Sequence, residues 1–160
     1  MSRVATILVL LSLAACKEKA PPVAPEARGA AFFAPSADRL GELVVADLKK
    51  TREAWYKAYL KDTGAKDDAE LGRHIGRSIL KERAGAFALT EAQEAALKSG
   101  KFADAENREK IKQAAAKFGP DRPVPDALRL ALVKVDSGEW GTGVPLEFVA
   151  RLLQSSPAAH

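Results

Sequence analysis

The chain has few of the side chains that bind metals, form disulfides or act as nucleophiles. Its 160 residues contain one cysteine and two histidines, so no disulfide can form within the chain. His160 is the last residue, and no second histidine or cysteine lies at metal-ligand spacing from His74. The sequence also lacks a glycine-rich phosphate loop and a nucleophile-elbow motif. We therefore predict a protein that is not an enzyme and that has no catalytic residues, no metal and no other cofactor.

Aromatic and β-branched residues are also scarce, which argues against a β-sheet. Aromatic side chains make up 6% of the chain, whereas alanine, leucine and lysine are abundant and favour helices. The charges are mixed along the chain, and 25 Lys and Arg against 21 Asp and Glu leave a net charge of +4. So small an excess indicates a solvated surface and no nucleic-acid partner. We predict an all-α fold, a small bundle of five to six helices.

No apolar run in the chain reaches the roughly 20 residues that a transmembrane helix needs. Residues 4–15 form an apolar run that follows a basic residue and ends in small residues, which is typical of a secretory signal peptide. The end of this run, Leu13-Ala14-Ala15-Cys16, resembles the lipobox of bacterial lipoproteins. In that motif a branched apolar residue and two small residues precede an obligatory cysteine.

The resemblance implies a lipid anchor. In bacterial lipoproteins a diacylglyceryl group alkylates the cysteine sulfur, and a dedicated signal peptidase cleaves before the cysteine. By resemblance, the peptidase recognises Leu13, Ala14 and Ala15, and the lipid is attached to Cys16. Two acyl chains are enough for stable membrane attachment. Lys17 follows the cysteine, and the same resemblance then favours the outer membrane. We expect a lipid-anchored protein of the cell envelope that faces the periplasm.

The rest of the chain divides into a tether, one domain and a short tail. Residues 16–35 contain four prolines and predict a flexible, Pro/Ala-rich tether. Phe32-Phe33 in it either docks onto the domain, which we favour, or touches a partner or the membrane surface. Residues 36–155 predict the helical domain, and 156–160 a disordered C terminus. Apolar periodicity and capping residues predict helices over 37–61, 69–83, 91–98, 105–118 and 145–153. Residues 125–135 fit either a helix or a strand.

Three features are candidates for a partner-binding surface. Trp140 lies in a turn-rich loop, where it either enters a partner pocket or folds back to close the end of the bundle. Gly72 and Gly76 are one helical turn apart and permit the close approach of another helix, either from a partner or from this domain. Arg73 and Arg77 belong to a basic strip that either meets anionic lipid or an acidic partner, or is simply solvated.

Three aromatic residues lie close together in the first predicted helix. Trp55 and Tyr59 follow its apolar stripe, so we expect them in the core, and Tyr56 points elsewhere, where exposure to solvent is open to it. The function we favour is a non-enzymatic interaction protein that assists or inhibits an envelope partner. An alternative is a carrier of an apolar ligand, with Trp55 and Tyr59 lining a cavity between helices.

A cell-envelope hydrolase is the third hypothesis, and scattered carboxylates are its only support. Asp62-Thr63-Gly64 and Asp136-Ser137-Gly138 resemble the active-site triplets of aspartic proteases, which share a proton between two carboxylates. In that family each triplet follows an apolar strand in a β-rich lobe, and neither triplet does so here. We interpret both as turns, in which Asp and Gly serve the backbone geometry.

Overall fold

The computed structural model describes residues 20–100, 104–116, 134, 138 and 143–155. These residues form seven helices and no strand, so the predicted all-α bundle is confirmed. The helices are α1 (Pro25–Thr51), α2 (Glu53–Thr63), α3 (Asp68–Glu82), α4 (Ala84–Phe87), α5 (Glu91–Lys98), α6 (Asp104–Ala116) and α7 (Leu146–Gln154). The choice between helix and strand over 125–135 lies outside the described residues, except for Lys134, which is helical.

Residues 25–35 belong to the folded domain and not to the tether. Helix α1 begins at Pro25, whose fixed φ suits a first helical turn and whose missing N–H is not needed there. The carbonyl oxygen of Pro25 accepts a hydrogen bond from the N–H of Leu89 at 2.9 Å. Phe33 is fully buried, which confirms that the phenylalanine pair docks onto the domain. The tether prediction was wrong for residues 25–35, because Pro25 starts a helix and Pro35 is accommodated inside it.

The signals at the end of α2 and the start of α5 were read correctly, but the first predicted helix is two helices and begins at Pro25 instead of residue 37. Arg52, with φ −146° and ψ 62°, leaves the helical region and separates α1 from α2, so a single helix over 37–61 was wrong. Gly64 ends α2 with φ 67°, the left-handed conformation that glycine favours. Thr90 and Gln93 form the predicted capping box at the start of α5.

Helices α1 and α3 touch backbone to backbone. A Cβ atom placed on Gly76 would lie 1.9 Å from the carbonyl oxygen of Ala37, and one on Gly41 would lie 1.7 Å from the carbonyl oxygen of Gly72. No real side chain fits at these distances, so the approach depends on glycine. The residue numbers rise along one helix as they fall along the other. The two helices therefore run antiparallel.

The core lies where α1, α4 and α7 meet. The ring centroids of Phe33 and Phe87 are 5.4 Å apart, and those of Phe87 and Phe148 are 4.9 Å apart in a stacked arrangement. Leu40 and Leu80 extend the core along α1 and α3. Helix α7 contributes a run of buried residues: Phe148, Val149, Ala150, Leu152 and Leu153. Arg151 in the same helix is half-buried, and its guanidinium carbon lies 5.8 Å from the centroid of the Phe33 ring.

Replacing Gly76 with alanine is expected to lower the free energy of unfolding by about 1–3 kcal/mol, because α1 has to move away from α3 to admit the methyl group. Urea unfolding measures the change. Gly85→Ala is the matched control, since a Cβ on Gly85 would meet nothing within 4 Å. That variant should be neutral or gain up to about 1 kcal/mol in helix propensity. Equal midpoints for the two variants would contradict the close contact.

Candidate functional site

The glycine pair predicted as a partner-binding surface is covered by α1. Gly72 and Gly76 are both buried, and the positions of their missing Cβ atoms face the backbone of residues 37–42. The internal-packing alternative is therefore correct, and no second helix has access to these glycines. They hold α3 against α1 and do not form a docking surface.

The remaining sequence-derived candidates separate into two groups. Arg73 and Arg77 are exposed on α3. His74 is exposed beside them. The other candidates lie outside the described residues, and their roles stay predictions: Leu13, Ala14, Ala15, Cys16 and Trp140.

Trp55 and Tyr59 are at the surface, so the prediction that they belong to the core was wrong. Trp55 is 52% exposed and Tyr59 is 37% exposed, whereas Tyr56 is half-buried and packs against the core. The cause is the break at Arg52, which rotates α2 relative to the apolar stripe of α1. Extending that stripe through residue 52 placed Trp55 and Tyr59 on the wrong side of the helix.

Trp55 and Tyr59, called the aromatic pair from here on, form the largest exposed aromatic surface of the described residues. Their ring centroids lie 6.3 Å apart with planes inclined at 44°. The helix that carries them has no buried residue, although all eleven of its residues are described. Large exposed apolar side chains in a group are a recognised sign of an interaction site. The shortage of apolar residues between 53 and 63 was the sequence signal for this exposure, because one leucine and two alanines cannot bury three large rings.

A polar junction fixes the orientation of α2. The carboxylate of Asp68, at the start of α3, accepts a hydrogen bond from the Tyr56 hydroxyl at 2.5 Å and one from the Lys49 ammonium at 2.7 Å. The Lys49 ammonium also lies 5.4 Å from the centroid of the Tyr56 ring. The junction therefore joins α1, α2 and α3 through one side chain from each. It holds the aromatic pair in a defined direction without burying it.

The charges of the junction stabilise one another. The hydrogen bonds from Lys49 and Tyr56 lower the pKa of Asp68 below its usual range. Asp68 in turn raises the pKa of Lys49 through a hydrogen bond and Coulomb attraction, and raises that of Tyr56 through a hydrogen bond, with burial adding to the effect. These shifts favour an ionised Asp68, a charged Lys49 and a protonated Tyr56 over the neutral range.

The outer side of α3 carries the second polar surface. Arg73, Arg77 and Lys81, called the basic face from here on, are exposed along it. Together with His74 they line an open depression of ≈ 550 Å³. Arg77 reaches back to α1, where its Nε and Nη2 atoms donate to the two carboxylate oxygens of Asp38 at 2.7 and 2.8 Å. That hydrogen bonding and the charge of Arg77 lower the pKa of Asp38 despite its partial burial.

Neither surface has the composition of a metal centre. The described part of the chain holds no group of three or more His, Cys, Asp or Glu side chains that could bind a metal ion. None of its helices is both long and apolar enough to cross a bilayer. Gly64 and Gly138, the glycines of the two protease-like triplets, have φ angles of 67° and 71°, which fits the interpretation as turns.

Replacing Asp68 with asparagine is expected to loosen α2 at neutral pH and to have little effect in acid. Because the pKa of Asp68 is lowered in the folded state, its contribution to stability is present above the pKa of the unfolded chain. The contribution is lost as the pH falls through the lowered pKa of the folded state. Urea unfolding of both proteins across this acidic range should therefore show two stability curves that converge as the pH falls. A gap between the curves that stays constant in acid would contradict the junction.

Comparisons of the chain with protein families, with characterised proteins and with solved structures found no match. Two surfaces of the domain have a chemistry suited to binding, the aromatic pair on α2 and the basic face on α3.

Proposed function

We propose that this protein is a lipid-anchored, non-enzymatic accessory protein of the bacterial cell envelope, which binds a partner protein through the aromatic pair. In this proposal the signal peptidase cleaves between Ala15 and Cys16, and Cys16 carries the lipid. The lipid is inserted in the outer membrane, and the domain lies in the periplasm. The exposed Trp55 and Tyr59 rings are the observation on which the proposed binding role rests.

The aromatic pair fits protein binding for three physical reasons. Trp and Tyr side chains supply a large contact area with few rotatable bonds, so little conformational entropy is lost on binding. Helix α2 presents them in a fixed direction through the junction at Asp68. Contact of these rings with water is unfavourable in free energy, and burial in a partner groove removes that contact. Such side chains dominate the affinity of many interfaces.

The proposed anchor and the aromatic pair lie at opposite ends of α1. Eight residues, 17–24, separate Cys16 from the start of α1, and the chain from Cys16 to Pro25 spans at most about 30 Å. Helix α1 has 27 residues and is therefore about 40 Å long. The aromatic pair follows its far end by a few residues. This arrangement supports a partner that is reached at a distance from the lipid attachment point.

The two rival functions have less support from the described residues. The carrier hypothesis relied on Trp55 and Tyr59 lining an internal cavity, and both are at the surface. A hydrolase of the kind considered needs a carboxylic acid with a raised pKa. The described carboxyl groups whose pKa is shifted all have a lowered pKa, caused first by hydrogen bonding to a basic side chain: Asp38, Glu53, Asp68 and Glu94.

The binding role is tested by placing a photocrosslinking amino acid at the exposed Ala58, beside the aromatic pair, in the lipidated protein within its native envelope. We expect one stoichiometric crosslinked product. The double variant Trp55→Ser and Tyr59→Ser should reduce it strongly, because loss of an aromatic hot spot of about 2 kcal/mol weakens binding about thirtyfold.

Val23→Ser is the matched control, because Val23 is 54% exposed but lies at the anchor end of α1. This variant should keep the crosslink. The double variant should unfold at the same urea concentration as the wild type, since neither replaced side chain is buried, and this separates lost binding from lost folding. An undiminished crosslink in the double variant would show that the aromatic pair does not bind the partner.

A further inference from the structure

The outer side of α3 repeats a positive charge at every fourth residue. Arg73, Arg77 and Lys81 therefore follow one another at steps of about 6 Å along the same side of the helix. Like charges four residues apart destabilise a helix by a few tenths of a kcal/mol for each pair. The inner side of α3 is held against α1 by Gly72 and Gly76, and Arg77 adds an ion pair with Asp38 of α1 to that contact.

Acidic side chains of the domain compensate this charge only in part. Asp38 is paired with Arg77 through two hydrogen bonds and also lowers the potential around Arg73. Glu70 lines the same depression, but its carboxylate also accepts the backbone N–H of Lys66 at the start of α3. Arg73 and Lys81 form no ion pair with any described residue. Two basic groups are thus left to meet anions from outside the domain.

The basic face is close to the point where the proposed tether enters the domain. Since α3 runs antiparallel to α1, with Gly76 opposite Ala37, Lys81 lies beside the first half of α1. That half begins at Pro25, at the end of a tether that spans at most about 30 Å. The membrane surface into which the lipid on Cys16 inserts is therefore within reach of the basic face.

We propose that the basic face binds the phosphate groups of anionic lipid headgroups in the membrane that holds the anchor. Arg73 and Lys81 donate hydrogen bonds to phosphate oxygens, which are the acceptors that both side chains prefer, and Arg77 adds its charge while it stays paired with Asp38. The domain then lies with α3 against the bilayer surface and has one fixed orientation. The inference rests on the lipid anchor of the proposed function, but not on the partner.

The test measures how fast a water-soluble amine reagent labels Lys81 in the lipidated protein on vesicles. One set of vesicles contains phosphatidylcholine alone, and the other also contains phosphatidylglycerol. We expect labelling of Lys81 to be about fivefold slower on the anionic vesicles, the effect of one basic side chain at an anionic surface. High salt should abolish the difference. Lys61, on α2, should be labelled at the same rate on both sets.

Arg73→Gln should speed the labelling of Lys81 on the anionic vesicles, because it removes a neighbouring phosphate contact. Lys50→Gln, an exposed lysine at the far end of α1, is the matched control and should change nothing. Equal labelling of Lys81 on both sets of vesicles would overturn the proposal. Inorganic phosphate added to the protein in detergent would also overturn the proposal if it slowed the labelling of Lys81 as much as anionic vesicles do. That result would show that the site takes a soluble anion.

Flotation of the protein separates a failure of this inference from a failure of the anchor. A lipidated protein floats with both sets of vesicles, because its acyl chains insert whatever the headgroup. A protein that floats with both sets but leaves Lys81 equally labelled contradicts the basic face alone. A protein that does not float with phosphatidylcholine vesicles contradicts the anchor, and with it the proposed contact between the basic face and the membrane.

Discussion

The backbone contact between α1 and α3 is the constraint on which the rest of the structure depends. Because Gly41, Gly72 and Gly76 carry no Cβ, the two helices approach closely enough for their backbones to touch. That approach brings Asp38 within reach of Arg77, and Lys49 within reach of Asp68. The ion pairs then secure both ends of an interface that small residues have made narrow. A wider separation would lose the packing and the polar contacts together.

This constraint also divides the surface of the domain into two ends. At the end near the proposed tether, the outer side of α3 presents basic side chains that no described residue neutralises completely. At the other end, α2 leaves the bundle after Arg52 and displays the aromatic pair while Asp68 holds its orientation. An anchored protein that lies on a membrane through one end and offers apolar rings at the other can bring a partner to a defined place. The two surfaces are chemically different, and each is tested without the other.

Features encoded within a few residues were predictable from the sequence, and those that depend on distant contacts were not. The capping box at Thr90 and the turn at Gly64 depend on neighbours within four positions, and both were found. The break at Arg52 has no strong local signal, so the apolar stripe was carried through it and the exposure of Trp55 was missed. Pro35 suggested a linker, although tertiary packing around Phe33 keeps that segment helical.

The glycines show the same limit. The spacing of Gly72 and Gly76 was recognised, but a single sequence does not show whether a glycine pair faces its own domain or a partner. Gly41, which completes the contact, has no glycine one turn away and gave no signal. Of the candidate site, sequence reasoning therefore found Arg73 and Arg77 and misplaced the aromatic pair, because burial is decided by how whole helices pack and not by local spacing.

The most direct test of the account is the chemical state of the N terminus, since both proposals place the domain on a membrane through the proposed anchor. Mass spectrometry of the N-terminal peptide, taken from the protein in its native membrane, measures this state. The account predicts a chain that begins at Cys16 and carries a diacylglyceryl group on the sulfur. A peptide in which Ala15 is still joined to an unmodified Cys16 would contradict it.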